Sequence, residues 1–350
     1  HSIFTRCKAA EGGAIYAAKG DVFLLHSNAT ENVARESNGG AVAVSSSYLS
    51  VIGSIFSHNS AEESGAGMAV TASTVAITDS SLERNDAKKG NGGGLFLSFS
   101  SVAMHSSKLQ NNVALSSGGA IFVSSRSQLT ITSCECSNNA AGENGGCLHA
   151  REIVYNGLAI YDVTMHGNNA TENGGCISLD KAVKVNILQS QLLYCNAGRN
   201  GGGIFAYESS EIRLQAATVT HCSASSGGGG YFWDFPPREK PMEEAPFTSQ
   251  DGTVVEDNVA MYGPDYASGP FVLMQMTGPG GSSGFEYPGY IASNTEVGKL
   301  QETETALIDE PVSFHVIDFY GQQVTSESEL LVSYQAIVAR SSKSWVAPYY

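Results

Sequence analysis

Along the first two-thirds of the chain a glycine, nearly always doubled, returns at an almost constant interval. It stands at Gly12, Gly39, Gly65, Gly92, Gly118, Gly145, Gly174, Gly201 and Gly228, in steps of 27, 26, 27, 26, 27, 29, 27 and 27 residues. A fixed period of this size commits a chain to stacking copies of one small unit, because one unit alone cannot bury its apolar face.

Each repeat holds three short apolar segments. The first gives the columns Ile15, Val42, Met68, Leu95, Ile121, Leu148, Ile177, Ile204 and Ala17, Val44, Val70, Leu97, Val123, Ala150, Leu179, Ala206, two residues apart. That is the period of a strand with one buried face. The second segment repeats the pattern from Leu49 and Val51 to Ile212 and Leu214, and the third places Phe56, Leu82, Leu109, Cys136, Met165, Leu192 and Val219 in line. Three strands per turn predict an all-β, right-handed parallel β-helix of about nine to ten coils, the hand following from the preferred crossover of parallel strands. Hairpin turn signals and helix-period segments are both missing, which removes a meander and a leucine-rich horseshoe.

Beyond the third strand stand Asn59, Asn85, Asn112, Asn139 and Asn168, then Cys195 and Cys222, each followed two residues later by alanine. Stacked amides at a corner predict an internal asparagine ladder. A polar binding row is the competing reading, and in the first coil Asn28 and Asn32 compete for the column. After the glycines runs a small column, from Ala14 and Ala41 to Cys147, Cys176, Gly203 and Gly230, read as a tight corner. Gly-Gly-Ala-Ile/Val (Gly12–Ile15, Gly39–Val42, Gly118–Ile121) together with Phe56-Ser57-His58-Asn59 resembles the paired motifs of polymorphic outer membrane protein-type repeats. The resemblance covers about residues 11–260 and implies a secreted, surface-displayed, pectin-lyase-like β-helix. The C-terminal membrane barrel of the bacterial members has no counterpart in this sequence.

The β-helix is expected over 1–235. Pro236, Pro237 and Pro241 then read as a loop or insertion, because proline cannot serve a central ladder. Val255, Asn258 and Ala260 reproduce the ladder spacing of one degenerate capping coil, closed by Gly263–Pro270, so that 236–270 forms the end of the helix. Residues 271–350 are expected to form a small β-sandwich-like module, partial or complete, with strands at Phe271–Thr277, Pro311–Tyr320 and Glu329–Ala339. The piece Val316–Val324 is similar to the hairpin of bacterial-type immunoglobulin-like surface modules.

A net charge of −15 and no basic patch argue against nucleic acid and anionic membranes, and no apolar run approaches a membrane span. The chain opens on His1 without a signal-like stretch, as a mature or trimmed product does. Among the seven cysteines, Cys147 and Cys176 share a column one coil apart, as do Cys195 and Cys222. Strand spacing falls inside the disulfide range, so two coil-to-coil bridges and an oxidising compartment are expected, with buried free thiols as the alternative. Cys134 and Cys136 make a poor local pair, and Cys7 reads as a partner for a segment outside this chain. Nothing has zinc-ligand spacing, so no metal or cofactor is expected. Asn28-Ala29-Thr30 and Asn169-Ala170-Thr171 are glycan acceptor sequons.

Many β-helices process polysaccharides with carboxylates on neighbouring coils. Here Asp79 and Asp162 lie three coils apart and no acidic cluster forms, so no catalytic residue is assigned. The outward column of the first strand is more suggestive: Tyr16, Phe96, Phe122, His149 and Phe205 interrupt small residues. It reads as a contact for a sugar or a neighbouring subunit, or as the seat of the chain's own Tyr231–Ala260 segment. The expectation is an extracellular structural or adhesive rod, part of a surface filament, flagellar hair or cell-wall assembly, partnered by other protein subunits and glycans. A carbohydrate-binding adhesin, and behind it a polysaccharide lyase or epimerase, are the alternatives.

Overall fold

The computed structural model describes the chain except residues 154–156, 183, 210, 235–246, 277–312, 319, 321, 323, 325–336, 341–342 and 347–350. The described residues form no helix and wind into a parallel β-solenoid. Each coil carries four strands rather than the expected three. In one coil they are Ile121–Ser124, Gln128–Thr132, Glu135–Ser137 and Ala140–Ala141. Stacked through the rod they make sheets 1 to 4 in that order, of ten, nine, ten and nine strands. The fourth strand is only two residues long and carries the alanine column. A two-residue strand shows no alternation, so period counting cannot find it.

Pairing is in register from coil to coil: Leu95, Phe96 and Leu97 lie against Ile121, Phe122 and Val123, and these against Leu148, His149 and Ala150. Register of this kind puts every inward column on one line, and the columns predicted from sheets 1, 2 and 3 form one continuous core. Each fully buried Leu, Ile or Phe there contributes about 2 kcal/mol relative to an exposed one.

Four corners join the sheets, and every one uses left-handed backbone. At the corner between sheets 3 and 4 the column is Glu31, His58, Arg84, Asn111 and Asn138, all with φ between 51° and 57°. At the turn into sheet 1 glycine is required outright. Gly118 has φ +69°, and a Cβ there would lie 2.3 Å from the Ile121 carbonyl oxygen. The repeat is thus set by a steric demand made once per coil.

The solenoid continues past the point where the sequence pattern fades. Tyr231–Asp234 pairs with Ile204–Tyr207 in sheet 1. Phe247–Gln250, Val254–Glu256 and Tyr266–Ser268 then extend sheets 2, 3 and 1. The three prolines of the expected insertion lie outside the described residues. In the C-terminal part, Ser313–Asp318 pairs antiparallel with Pro270–Met276, and the expected strand at 329–339 lies mostly outside the described residues. A second antiparallel pair joins Ile337–Arg340 to Lys343–Val346. Most of the expected sandwich module, 271–350, lies outside the described residues.

Candidate functional site

The corner between sheets 3 and 4 is a ladder of buried amides. Nδ2 of Asn59 donates to Oδ1 of Asn85 at 2.9 Å, Asn85 to Asn112 at 2.9 Å, Asn112 to Asn139 at 3.0 Å and Asn139 to Asn168 at 3.0 Å. The same oxygens accept the backbone N–H of the preceding rung, as when Asn85 N donates to Asn112 Oδ1 at 3.1 Å. Each Nδ2 also donates backwards to a carbonyl, as from Asn112 to Leu82 O at 2.8 Å. Between the two competitors in the first coil, Asn32 takes the rung, donating to Asn59 Oδ1 at 3.0 Å, while Asn28 lies exposed on sheet 3. Each amide is fully used inside the wall and has nothing left for a ligand.

Two further ladders had no place in the sequence reading. Ser73, Ser100 and Ser127 accept at 3.0, 3.1 and 3.1 Å from the backbone N–H of Ser47, Ser73 and Ser100 at the corner between sheets 1 and 2. Ser54, Ser80 and Ser107 do the same between sheets 2 and 3 at 3.0, 3.1 and 3.1 Å. Their signal was present as serine directly after each left-handed corner residue. Serine is so frequent in the chain that the column did not stand out.

Cys134, Cys195 and Cys222 replace rungs of these ladders, and the bonding of the cysteines differs from the expectation. The disulfides are Cys136–Cys147, with Cα atoms 6.2 Å apart, and Cys176–Cys195, with Cα atoms 5.4 Å apart. The coil-to-coil pairs Cys147–Cys176 and Cys195–Cys222 are not made, and Cys222 is a free buried thiol. Residues in one column project their side chains in parallel. The small corner column, by contrast, faces sheet 3 and the ladder across the core, so sulfurs from those two lines converge. After Cys195 the facing corner residue is Gly203, which leaves Cys222 without a partner sulfur. Cys134, also free and buried, occupies a serine rung and accepts from Ser107 N at 3.3 Å. Burial pushes the Cys222 thiol up to about 11, which keeps it protonated. Cys7 is free as well, and its N–H donates to Asn32 Oδ1 at 3.0 Å. Two disulfides point to an oxidising, non-cytoplasmic compartment.

The outward column of sheet 1 is a stack of rings. Phe96 and Phe122 lie 5.7 Å apart at 3°, and Phe122 and His149 lie 5.3 Å apart at 12°. Ser178 interrupts the stack, and Phe205 resumes it against Phe232 at 5.9 Å and 10°. The exposure expected of a contact surface is largely absent: Tyr16 is 56% exposed, but Phe122 is 8% and His149 is 6%. Rings one strand spacing apart cover each other's faces. The glycine turn adds cover, since a Cβ on Gly118 would lie 3.0 Å from the Phe122 Cα.

Burial holds the His149 imidazole neutral, lowering its pKa to about 4, and the nearby Arg151 charge acts the same way. Its Nδ1 and Oδ1 of Asp180 are the buried polar side-chain atoms without a hydrogen bond among the described residues. Asp180 lies on the next strand, with Oδ2 3.3 Å from Arg151 Nε. Burial raises the Asp180 pKa, opposed by the charges of Arg151 and Lys181.

The remaining sequence candidates are scattered. Asp79 and Asp162 are exposed corner residues with φ 49° and 53°, and Asp162 accepts from the Ser133 hydroxyl at 2.8 Å. Of the sequon asparagines, Asn28 and Asn169 are both exposed, and Asn169 Oδ1 accepts from Asn196 Nδ2 at 2.8 Å. A group the sequence reading passed over lies on sheet 2 near the first coils. Phe23 and Tyr48 are exposed there with rings 6.0 Å apart, beside exposed Leu25 and Ile52. The described residues contain no cluster able to hold a metal ion and no helix long and apolar enough to cross a membrane.

The family model described as "Right handed beta helix region" matches residues 1–160. With the parallel coils this agrees with a right-handed β-helix. No curated protein and no solved structure matches the chain.

Proposed function

We propose that this protein is an extracellular structural rod, a subunit of a surface filament, flagellar hair or cell-wall assembly that meets other protein subunits through its long faces. The asparagine ladder carries this reading. It runs from Asn32 to Asn168 with every amide bonded to the coils on either side, and such a wall resists bending and slippage. Two disulfides, Cys136–Cys147 and Cys176–Cys195, fix the middle coils in the same sense. On this reading Asp79 and Asp162 serve corners rather than catalysis, and glycans on Asn28 and Asn169 decorate the exposed faces.

A carbohydrate-binding adhesin is the second reading, favoured by exposed Tyr16, Phe23 and Tyr48 near one end of the rod. Half-buried Phe96 and buried Phe122 and His149 support it less than exposed rings would, because sugars need an open aromatic face.

Electron microscopy of protein isolated from its native source, glycans intact, separates the two. Regular filaments or sheets are the expected result. Discrete rods, together with glycan-array binding that Tyr16→Ala and Tyr48→Ala abolish, would replace the structural reading with the adhesive one.

A further inference from the structure

The last coil ends on strands that would expose unpaired backbone. Val254–Glu256 closes sheet 3, Tyr266–Ser268 closes sheet 1 and Phe247–Gln250 closes sheet 2. A bare parallel edge of this kind is a template for another β-chain. The sheet 1 edge is not bare, because Asp318, Tyr320, Gln322 and Val324 lie on it.

Their contacts imitate a further coil. The Asp318 carboxylate is buried, with Oδ2 accepting the N–H of Ser268 at 3.2 Å. Its Oδ1 accepts the N–H of Tyr320 at 2.9 Å and of Gln322 at 2.8 Å. Gln322 Nε2 donates to the carbonyl of Tyr266 at 2.9 Å. One N–H and one C=O of the final sheet 1 strand are therefore taken up by side chains where the next coil would have supplied backbone. Tyr320 covers the end of the core: its hydroxyl accepts from Trp233 Nε1 at 3.0 Å, and its ring meets that of Tyr266 at 4.9 Å and 62°. Val324 packs outside sheet 1 against Phe232, Tyr262 and Ala267.

We propose that Asp318, Tyr320, Gln322 and Val324 form an intramolecular stopper that occupies outward pairing groups of the last sheet 1 strand and so prevents end-on addition of a second copy of this chain. A free end would accept the first coil of a neighbour in register, since every coil presents the same strand spacing. The stopper makes that reaction a competition in which the tethered segment has the advantage of its own high local concentration. This holds whether the rod serves a filament or stands alone. In a filament it makes growth lateral unless the stopper is removed.

The test is sedimentation velocity on the full chain over a hundredfold concentration range, with electron microscopy of the same samples. Wild type stays at one size. Asp318→Ala with Gln322→Ala shifts to concentration-dependent species whose rods measure whole multiples of the wild-type length. Asp318→Asn keeps one carboxamide oxygen for the Tyr320 and Gln322 N–H groups but turns an NH2 towards Ser268, and shows a smaller shift. A double variant that stays monomeric while its Ser268 amide exchanges freely would overturn the proposal, since the end is then open and nothing adds. Hydrogen exchange on wild type gives an independent check, because a rapidly exchanging Ser268 amide would show that no stopper is seated. That result would overturn the proposal even if the variants failed to fold.

Discussion

His149 occupies a place in the sheet 1 ring stack that Phe96 and Phe122 fill in the two preceding coils, and it is buried there as a neutral base. Its pKa is depressed in the folded state, so the stability it allows is fully present above the unfolded value near 6.5. That stability is lost as pH falls from there towards about 4. A shift of this size corresponds to about 3 kcal/mol. Urea midpoints at pH 7.5 and 4.5 should therefore fall less in His149→Phe than in wild type, and equal falls would show that the imidazole titrates freely. Peptide mapping without reduction should recover Cys136–Cys147 and Cys176–Cys195, while Cys134 and Cys222 should react with thiol reagents only on unfolding. Recovery of Cys147 joined to Cys176 would refute the pairing across the core. These pairs were hidden in the sequence for a definite reason. Column membership fixes which residues are one strand apart, whereas which two columns face each other depends on how sharply the chain turns between Cys136 and Cys147.

At the scale of a strand and its corner, Asn112 shows what a rung is for. Its Oδ1 accepts from both the backbone and the amide of Asn85, and its Nδ2 donates to Leu82 O and Asn139 Oδ1. Asn112→Ala leaves buried donors and acceptors in two neighbouring coils unmatched, and should cost about 3 kcal/mol by urea denaturation. Asn112→Asp should cost as much or more, because it presents a charge to Asn139 Oδ1. A loss below measurement error would mean that water replaces the rung. Gly118→Ala should be equally damaging, since its methyl would meet the Ile121 carbonyl at 2.3 Å, and a variant with unchanged midpoint would disprove that steric account. The strands of sheets 1 to 3 were legible because their inward residues alternate, and the amides because asparagine returns three residues beyond the third strand in five successive coils. Sheet 4 was not legible, because Ala140–Ala141 offers one inward residue and no alternation. The outward rings were seen as a column but not as a covered one, because mutual stacking depends on side-chain tilt rather than on spacing.

Across the whole molecule the ten coils of sheet 1 repeat at the spacing of parallel strands, giving a rod of about 48 Å before its end structures are added. Such a body holds together through contacts between neighbours, so its middle should be protected longest. Hydrogen exchange is expected to be slowest around Leu97, Ile131 and Leu148 and faster in the first coil, where Phe4 and Ile15 are only partly buried. Uniform exchange from end to end would instead mark a single all-or-none unit. The disulfides bear on how such a rod changes over generations. Each closes within less than one turn, spanning 11 residues in one case and 19 in the other. Cys176–Cys195 lies between the turns at Gly174 and Gly201, so a duplication or deletion cut at those turns moves the pair whole. Cys136–Cys147, by contrast, straddles the turn at Gly145 and is left in place only by events outside residues 118–173. Outside residues 118–173 the rod's length is therefore a quantity that recombination can adjust one coil at a time without leaving an unmatched thiol.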